Sequence, residues 1–230
     1  MKKILFIASI ALNVLLTLFC MYQLSRPRII MMSDNSFVTR LMLQKSMPIN
    51  YGDIVFMGGK QVADCDWREF LNDNRARNRG IPGMRISQDM SRLDQLLENS
   101  PAQLFLLYGI DELSTGSSPA VIVEQYKQLI QSIRERSPMT EIIVQSVFPV
   151  NYTAREFKKS NMKNRIETLN RELKDYVLSN GIVFSDLYDE FLDEKGGLNP
   201  AYFMNDGFSL SAKGYEHWKE RIEWFMQKPE

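Results

Sequence analysis

The sequence is poor in the residues that most often build metal sites, disulfides and nucleic-acid surfaces. It has one histidine, His217, and two cysteines, Cys20 and Cys65, in 230 residues. A lone histidine without a cysteine cluster provides no metal site. Because Cys20 lies in an apolar stretch, Cys65 has no partner for an intrachain disulfide. The 28 basic and 28 acidic residues balance, so the chain lacks the basic field that attracts nucleic acid. We therefore expect no metal, no cofactor and no nucleic-acid partner.

Charged residues are also missing from the N-terminus. Residues 4–24 contain no charge, and two lysines precede and two arginines follow this stretch. Its length is sufficient to cross a hydrocarbon core, which needs ~20 residues. No small-residue cleavage site follows it, and Phe19 is too bulky to precede a lipoprotein cysteine. We interpret residues 1–28 as an uncleaved signal anchor in the membrane, with a cleaved signal peptide or a buried core helix as alternatives. The small excess of positive charge before the stretch predicts an extracytoplasmic, periplasmic domain.

Beyond residue 52 the sequence alternates between short apolar runs and amphipathic segments. Continuous apolar runs predict strands of a sheet covered on both faces, and apolar residues at three- and four-residue spacing predict helices. The predicted strands are 53–57, 103–108, 141–147 and 182–184, and the predicted helices are 87–99, 119–136 and 161–180. We therefore predict one α/β domain over residues 52–230, with a parallel sheet between two helical layers and any site at the carboxyl ends of its strands. Residues 29–51 are predicted to be a tether with a helical turn at 35–42.

Four segments of this domain form an ordered series. They are FMGGK (56–60), NRGIPG (78–83), YGIDEL (108–113) and DGFSLSAKGY (206–215). In order and spacing they resemble the four sequence blocks of the SGNH/GDSL hydrolases, the GDSL-like lipases and acylhydrolases. Those blocks read Gly-Asp-Ser, Asn-x-Gly-x-x-Gly, Gly-x-Asn-Asp-Leu and Asp-x-x-His. The resemblance spans about residues 53–218, and it implies a three-layer flavodoxin-like fold that acts on carboxyl esters of lipids or sugars.

The same resemblance places unusual residues at the family's catalytic positions. Lys60 stands where the family has its nucleophilic serine, Asp111 where it has an oxyanion-binding asparagine, and Ser209 where it has the histidine base. An ionised Asp111 accepts hydrogen bonds only and repels an oxyanion. Gly83, an oxyanion-hole amide, and Asp206, which orients the base, match the family. The expected ligand cleft comprises Gly59, Lys60, Gly83, Asp111, Asp206 and Ser209.

These substitutions indicate a disabled active site. Opposite charges at positions of one pocket predict an ion pair between Lys60 and either Asp111 or Asp206, which would fill the former site. The alternative is a Lys60 side chain that extends into solvent. The single histidine cannot replace the lost base, because His217 lies eight positions after Ser209 on a predicted helix, roughly 12 Å along its axis.

Three functions are compatible with this pattern, because a fold alone does not determine function. The first is a membrane-anchored pseudohydrolase that binds an envelope glycan, an acyl ligand or a protein partner in the old cleft. The second is an active esterase or acylhydrolase on acylated glycans or lipids with a non-standard constellation. Its nucleophile would be Ser87, Ser114, Ser146 or Ser209. The third is a structural tethered module without a ligand.

Overall fold

The computed structural model describes residues 34–152, 157 and 161–226, together with residues 13, 16 and 17. Most of the predicted anchor, residues 1–28, therefore lies outside the described residues. Within the described part of the chain, no helix combines the length and the apolar character that a membrane crossing requires. The anchor remains a prediction from the sequence.

Five parallel strands form one sheet, in the spatial order β2-β1-β3-β4-β5. The strands are β1 (Ile54–Gly58), β2 (Ala76–Asn78), β3 (Gln103–Leu107), β4 (Glu141–Gln145) and β5 (Val183–Ser185). The predicted parallel sheet is thus confirmed. The sequence did not predict β2, because this edge strand has three residues and two of them are polar. Its Arg77 forms an ion pair of 2.9 Å with Asp53, just before β1.

Helices cover both faces of the sheet and complete a three-layer α/β fold. They are α1 (Asp34–Lys45), α2 (Lys60–Ala63), α3 (Trp67–Phe70), α4 (Ile86–Met90), α5 (Leu93–Leu97), α6 (Ile110–Ser114), α7 (Pro119–Arg136), α8 (Met162–Ser179) and α9 (Ala212–Met226). Side chains alternate along β3, so Leu104 packs into one hydrophobic core with α7 and α8. Phe105 packs into the other core with Trp67 and Trp218. This alternation is what a sheet buried on both faces requires.

Two helical segments differ from the prediction. The predicted helix 87–99 is divided into α4 and α5, because Arg92 lies between them with its side chain turned into the protein. Its guanidinium contacts the Asp89 carboxylate and donates to the Arg79 carbonyl at 2.8 Å. The segment predicted as a tether contains α1, which is longer than a helical turn and packs on the domain. Its Gln44 donates a hydrogen bond of 3.3 Å to the Gly80 carbonyl.

Candidate functional site

The first and third sequence blocks meet at the carboxyl ends of β1 and β3. Gly59 follows β1, and Asp111 lies in the first turn of α6. A Cβ atom built on Gly59 would lie 2.4 Å from Oδ2 of Asp111, a distance that real contacts do not reach. The Asp111 carboxyl group therefore occupies the space that a side chain at position 59 would need. The residue types that fit at positions 59 and 111 therefore depend on each other.

The last block contacts Gln61, the residue that directly follows the first block. Its side chain donates to the Phe208 carbonyl at 3.4 Å, and its backbone carbonyl accepts from the Tyr215 hydroxyl at 2.8 Å. The positive charge of Lys60 also acts on Asp206. The block that contains Asp206 and Ser209 therefore lies beside the turn that follows β1, as the family resemblance predicts.

Glu112 joins the third block to the start of α4, although the sequence did not predict this role. This buried side chain accepts hydrogen bonds from the backbone N–H groups of Ile86 at 2.9 Å and Gly109 at 3.1 Å. The sequence contained one indication of this role. Glu112 stands in the third block at the position where the family has aspartate, directly after Asp111. The second block contacts the first directly, because the N–H group of Ile81 donates to the Gly58 carbonyl at 3.0 Å.

Lys60 does not form the predicted ion pair with Asp111 or Asp206. In the described part of the chain, its salt bridge is with Asp64, one turn later in the chain. Residues four apart on a helix are neighbours on its surface, so this pair forms without desolvation of the cleft. The Lys60 and Asp64 side chains are 37% and 36% exposed. The prediction of a plugged cleft was therefore wrong.

The carboxyl group of Asp111 stands alone in a small cleft. The lining residues are Gly59, Gln61, Leu107, Tyr108, Ile110, Asp111, Val147, Phe148 and Val150. Burial raises the pKa of Asp111 to about 7, the Glu112 carboxylate adds to this rise, and Arg85 opposes it. Neither an ion pair nor a side-chain hydrogen bond joins Asp111 to another of the described residues. Near neutral pH this group is therefore divided between its protonated and ionised forms.

Ser209 and Asp206 form a compact hydrogen-bonded pair. The Ser209 hydroxyl donates to Oδ2 of Asp206 at 2.7 Å, and the backbone N–H groups of Phe208 and Ser209 donate to Oδ1 at 2.9 and 2.8 Å. Burial alone would raise the pKa of Asp206, but these hydrogen bonds outweigh it and lower the pKa. Asp206 is therefore a weak base towards the Ser209 hydroxyl.

The single histidine is engaged away from these groups. The His217 ring stacks on Tyr202, with ring centroids 4.9 Å apart and an angle of 5° between the planes. Its nitrogens lie 3.9 Å from a carboxylate oxygen of Glu190 and 3.6 Å from one of Glu220. No serine hydroxyl among the described residues forms a hydrogen bond with His217. Among the described residues, therefore, no serine and histidine come together as a catalytic pair.

The other candidate serines differ in accessibility. The Ser146 hydroxyl is fully buried and accepts from the N–H groups of Leu187 and Tyr188 at 2.8 and 2.9 Å. The Ser114 hydroxyl donates to the Ile110 carbonyl at 2.7 Å. Ser87 is exposed in α4. None of these contacts provides a base that would activate a hydroxyl group.

Gly83 has a backbone N–H group that is free among the described residues, which its predicted oxyanion-hole role would require. Its φ of +80° is readily adopted by glycine, and the residue is exposed. Its N–H group has no acceptor among the residues that the structure describes, so it stays available to a ligand. Lys60, Gly83, Asp206 and Ser209 do not line the small cleft itself, whereas Gly59 and Asp111 do. Of the six residues that were predicted to form the cleft, two therefore line it and four lie outside its lining.

The parallel sheet between two helical layers, with the sequence blocks at one of its edges, defines a three-layer α/β domain. A family model, described as the GDSL-like lipase/acylhydrolase family, matches residues 53–217. The chain therefore belongs to the GDSL-like lipase/acylhydrolase family, as the sequence blocks predicted.

Solved structures share the fold at low sequence identity. A protein proposed to be an acylhydrolase from Bacteroides fragilis is 21% identical, with a TM-score of 0.71 over 84% of this chain and 97% of that one. A GDSL-like lipase from Bacteroides thetaiotaomicron is 20% identical, with a TM-score of 0.71 over 82% and 96%. A lipase/acylhydrolase from Enterococcus faecalis is 18% identical, with a TM-score of 0.64 over 78% and 98%. Among curated protein sequences, none matches this chain.

Proposed function

We propose that this protein is a catalytically inactive member of its family that binds a ligand at the carboxyl edge of the sheet. The proposal rests on the residue that occupies the family's nucleophile position. Lys60 occupies it and is paired with Asp64. An amine at this position that attacked an ester would form a stable amide, and the reaction would stop after one turnover.

The remaining parts of the site support the same proposal. Ester hydrolysis needs a nucleophile, a base bonded to it, and donors aimed at the oxyanion. Loss of such a triad costs about a million-fold in turnover. The base position holds Ser209 on a weakly basic Asp206. The oxyanion position holds Asp111, which repels negative charge when it is ionised.

The proposal includes a membrane location. Residues 4–24 are uncharged and long enough to span a bilayer. The first described helix of the domain, α1, exposes the apolar side chains Val38 and Met42, which are 42% and 63% exposed. We propose an extracytoplasmic domain whose ligand is an acylated glycan, a lipid or an envelope protein.

An ester assay on the purified full-length chain tests the lack of activity. We expect no turnover of p-nitrophenyl butyrate above that of the heat-denatured protein. The triple variant Lys60→Ser, Asp111→Asn, Ser209→His restores the family residues and should gain activity. A matched control carries Lys60→Ala with the same two other changes, and should remain inactive because it lacks the nucleophile. Multiple turnovers by the natural chain would overturn the proposal.

An active enzyme with a non-standard constellation is the second candidate. The hydrogen bond of 2.7 Å between Ser209 and Asp206 favours it, because a carboxylate in contact with a hydroxyl is the simplest base-nucleophile pair in the structure. If this pair were catalytic, the natural chain would hydrolyse the ester and Ser209→Ala would abolish that activity. Activity that survives Ser209→Ala would exclude this pair as well.

A further inference from the structure

The cleft beside Asp111 combines apolar walls with one charged group. Its apolar side chains come from Leu107, Ile110, Val147, Phe148 and Val150. Of the described residues that line it, Asp111 alone is charged. The Gln61 amide is engaged with the Phe208 carbonyl, and the Tyr108 hydroxyl with the Asp89 carboxylate. A carboxylate in apolar surroundings without a cation is costly, so a ligand that supplies one gains affinity.

We propose that this cleft, which has room for about one water-sized group, holds the ammonium of a protonated amine against the Asp111 carboxylate, with the short apolar group of the amine at the mouth of the cleft. The inference deepens the proposed function and uses the same cleft. An asparagine at this position donates a hydrogen bond to an oxyanion. An ionised carboxylate does the opposite, because it repels an oxyanion and attracts cations. The Asp111 substitution thus reverses the charge that the cleft selects.

The charges around Asp111 favour the same ligand. Glu112, the next residue in α6, adds negative potential, although its oxygens already accept N–H groups from Ile86 and Gly109. Arg85, from the loop before α4, is the positive group that acts on Asp111. It is exposed, so solvent screens much of its effect. The cleft is therefore acidic when Asp111 is ionised.

Binding should consequently depend on pH. Burial raises the pKa of Asp111 to about 7, whereas an alkylamine stays protonated up to roughly pH 10. The two groups are oppositely charged between these values. We expect the affinity for an alkylammonium ion to rise as the pH increases from 6 to 8.5, and to fall again above about pH 10.

The test is a titration of the full-length protein in detergent micelles with butylammonium, followed by the methyl NMR signals of Val147 and Val150, which line the cleft. Butanoate and butanamide are the matched ligands of opposite and zero charge. At pH 8.5 we expect butylammonium to bind at least about 10-fold more tightly than either. Asp111→Asn should lose about 10-fold in butylammonium affinity, whereas Asp94→Asn, at an exposed position, should lose nothing.

Several outcomes would overturn the inference. They are equal binding of butanamide, tighter binding of butanoate, unchanged affinity in Asp111→Asn, or an absence of shifts at Val147 and Val150. The pH profile of the natural chain provides a second criterion that needs no variant, and a flat profile between pH 6 and 8.5 would also contradict it. Ester turnover would refute the lack of activity but not the charge preference, so the two proposals fail separately.

Discussion

Asp89 and Asp111 are two carboxyl groups near one cleft, and they differ in what surrounds them. Asp89 is fully buried, contacts the guanidinium of Arg92 and accepts from the Tyr108 hydroxyl. Asp111 lies in the cleft without such partners. Burial raises the pKa of both groups. Arg92 and the Tyr108 hydroxyl oppose this rise at Asp89, whereas only the exposed Arg85 opposes it at Asp111. A paired carboxylate holds the fold together, whereas an unpaired one in a cleft is a candidate for ligand binding.

The largest effect on stability is expected at Asp89, the paired carboxyl group. Asp89→Ala would leave the Arg92 guanidinium, which is 6% exposed, without its counter-charge. We expect the free energy of unfolding to fall by ~3–5 kcal/mol, measured by urea denaturation. Asp94→Ala is the control, since the Asp94 side chain is 91% exposed, and should change the value little. A loss below about 1 kcal/mol for Asp89→Ala would show that the buried pair is not structural.

The second-largest effect on stability is expected at Gly59, where a side chain has no space. Gly59→Ala places a Cβ atom 2.4 Å from Oδ2 of Asp111, so the carboxyl group must move. We expect a loss of ~1–3 kcal/mol in the free energy of unfolding. The same change in an Asp111→Ala background should cost much less, because the conflicting oxygen is gone. Equal costs in both backgrounds would mean that the two positions are independent.

The unpaired group should affect how stability depends on pH. The pKa of Asp111 is about 7 in the folded protein, above its ordinary value of 3.8, so the folded state holds the proton more tightly. The stability that the folded state gains from holding this proton is fully present at low pH. It is lost as the pH rises from about 4 to 7 and does not return at higher pH. Asp111→Asn lacks it.

We therefore compare the free energy of unfolding of Asp111→Asn with that of the natural chain. The value for the variant minus that for the natural chain should be larger at pH 8 than at pH 5, by on the order of 1 kcal/mol after solvent screening. Urea denaturation at the two pH values measures the difference. Asp94→Asn serves as the reference and should show no such change. A natural chain that gains stability from pH 5 to pH 7 relative to Asp111→Asn would contradict the raised pKa.

The smallest effect is expected at Lys60. Its ion pair with Asp64 is partly exposed, and such pairs contribute only ~0.2–1 kcal/mol. Lys60→Ala should lower the free energy of unfolding by less than about 1 kcal/mol, and a double-mutant cycle with Asp64→Ala should show a similarly small coupling. A loss of about 3 kcal/mol or more would instead favour a buried pair with Asp111 or Asp206.

The long, strongly patterned elements were predictable from the sequence. The helix α7 has the predicted bounds, residues 119–136, because Ser118 caps it and Pro119 begins it. The strand β2 was missed because its three residues carry no apolar run. The break between α4 and α5 was missed because Arg92 turns inward to contacts that are distant in sequence.

The sequence by itself determined the family, the alternation of strands and helices, and the absence of the family's nucleophile, oxyanion asparagine and base at their positions. These properties are local, since they depend on residue identity, spacing and periodicity. Only the tertiary structure decided that Lys60 pairs with Asp64, that Glu112 joins two loops, and that Asp111 stands alone beside Gly59. Charge pairing and pKa depend on distances and burial between segments far apart in the chain, and a linear pattern does not contain those distances.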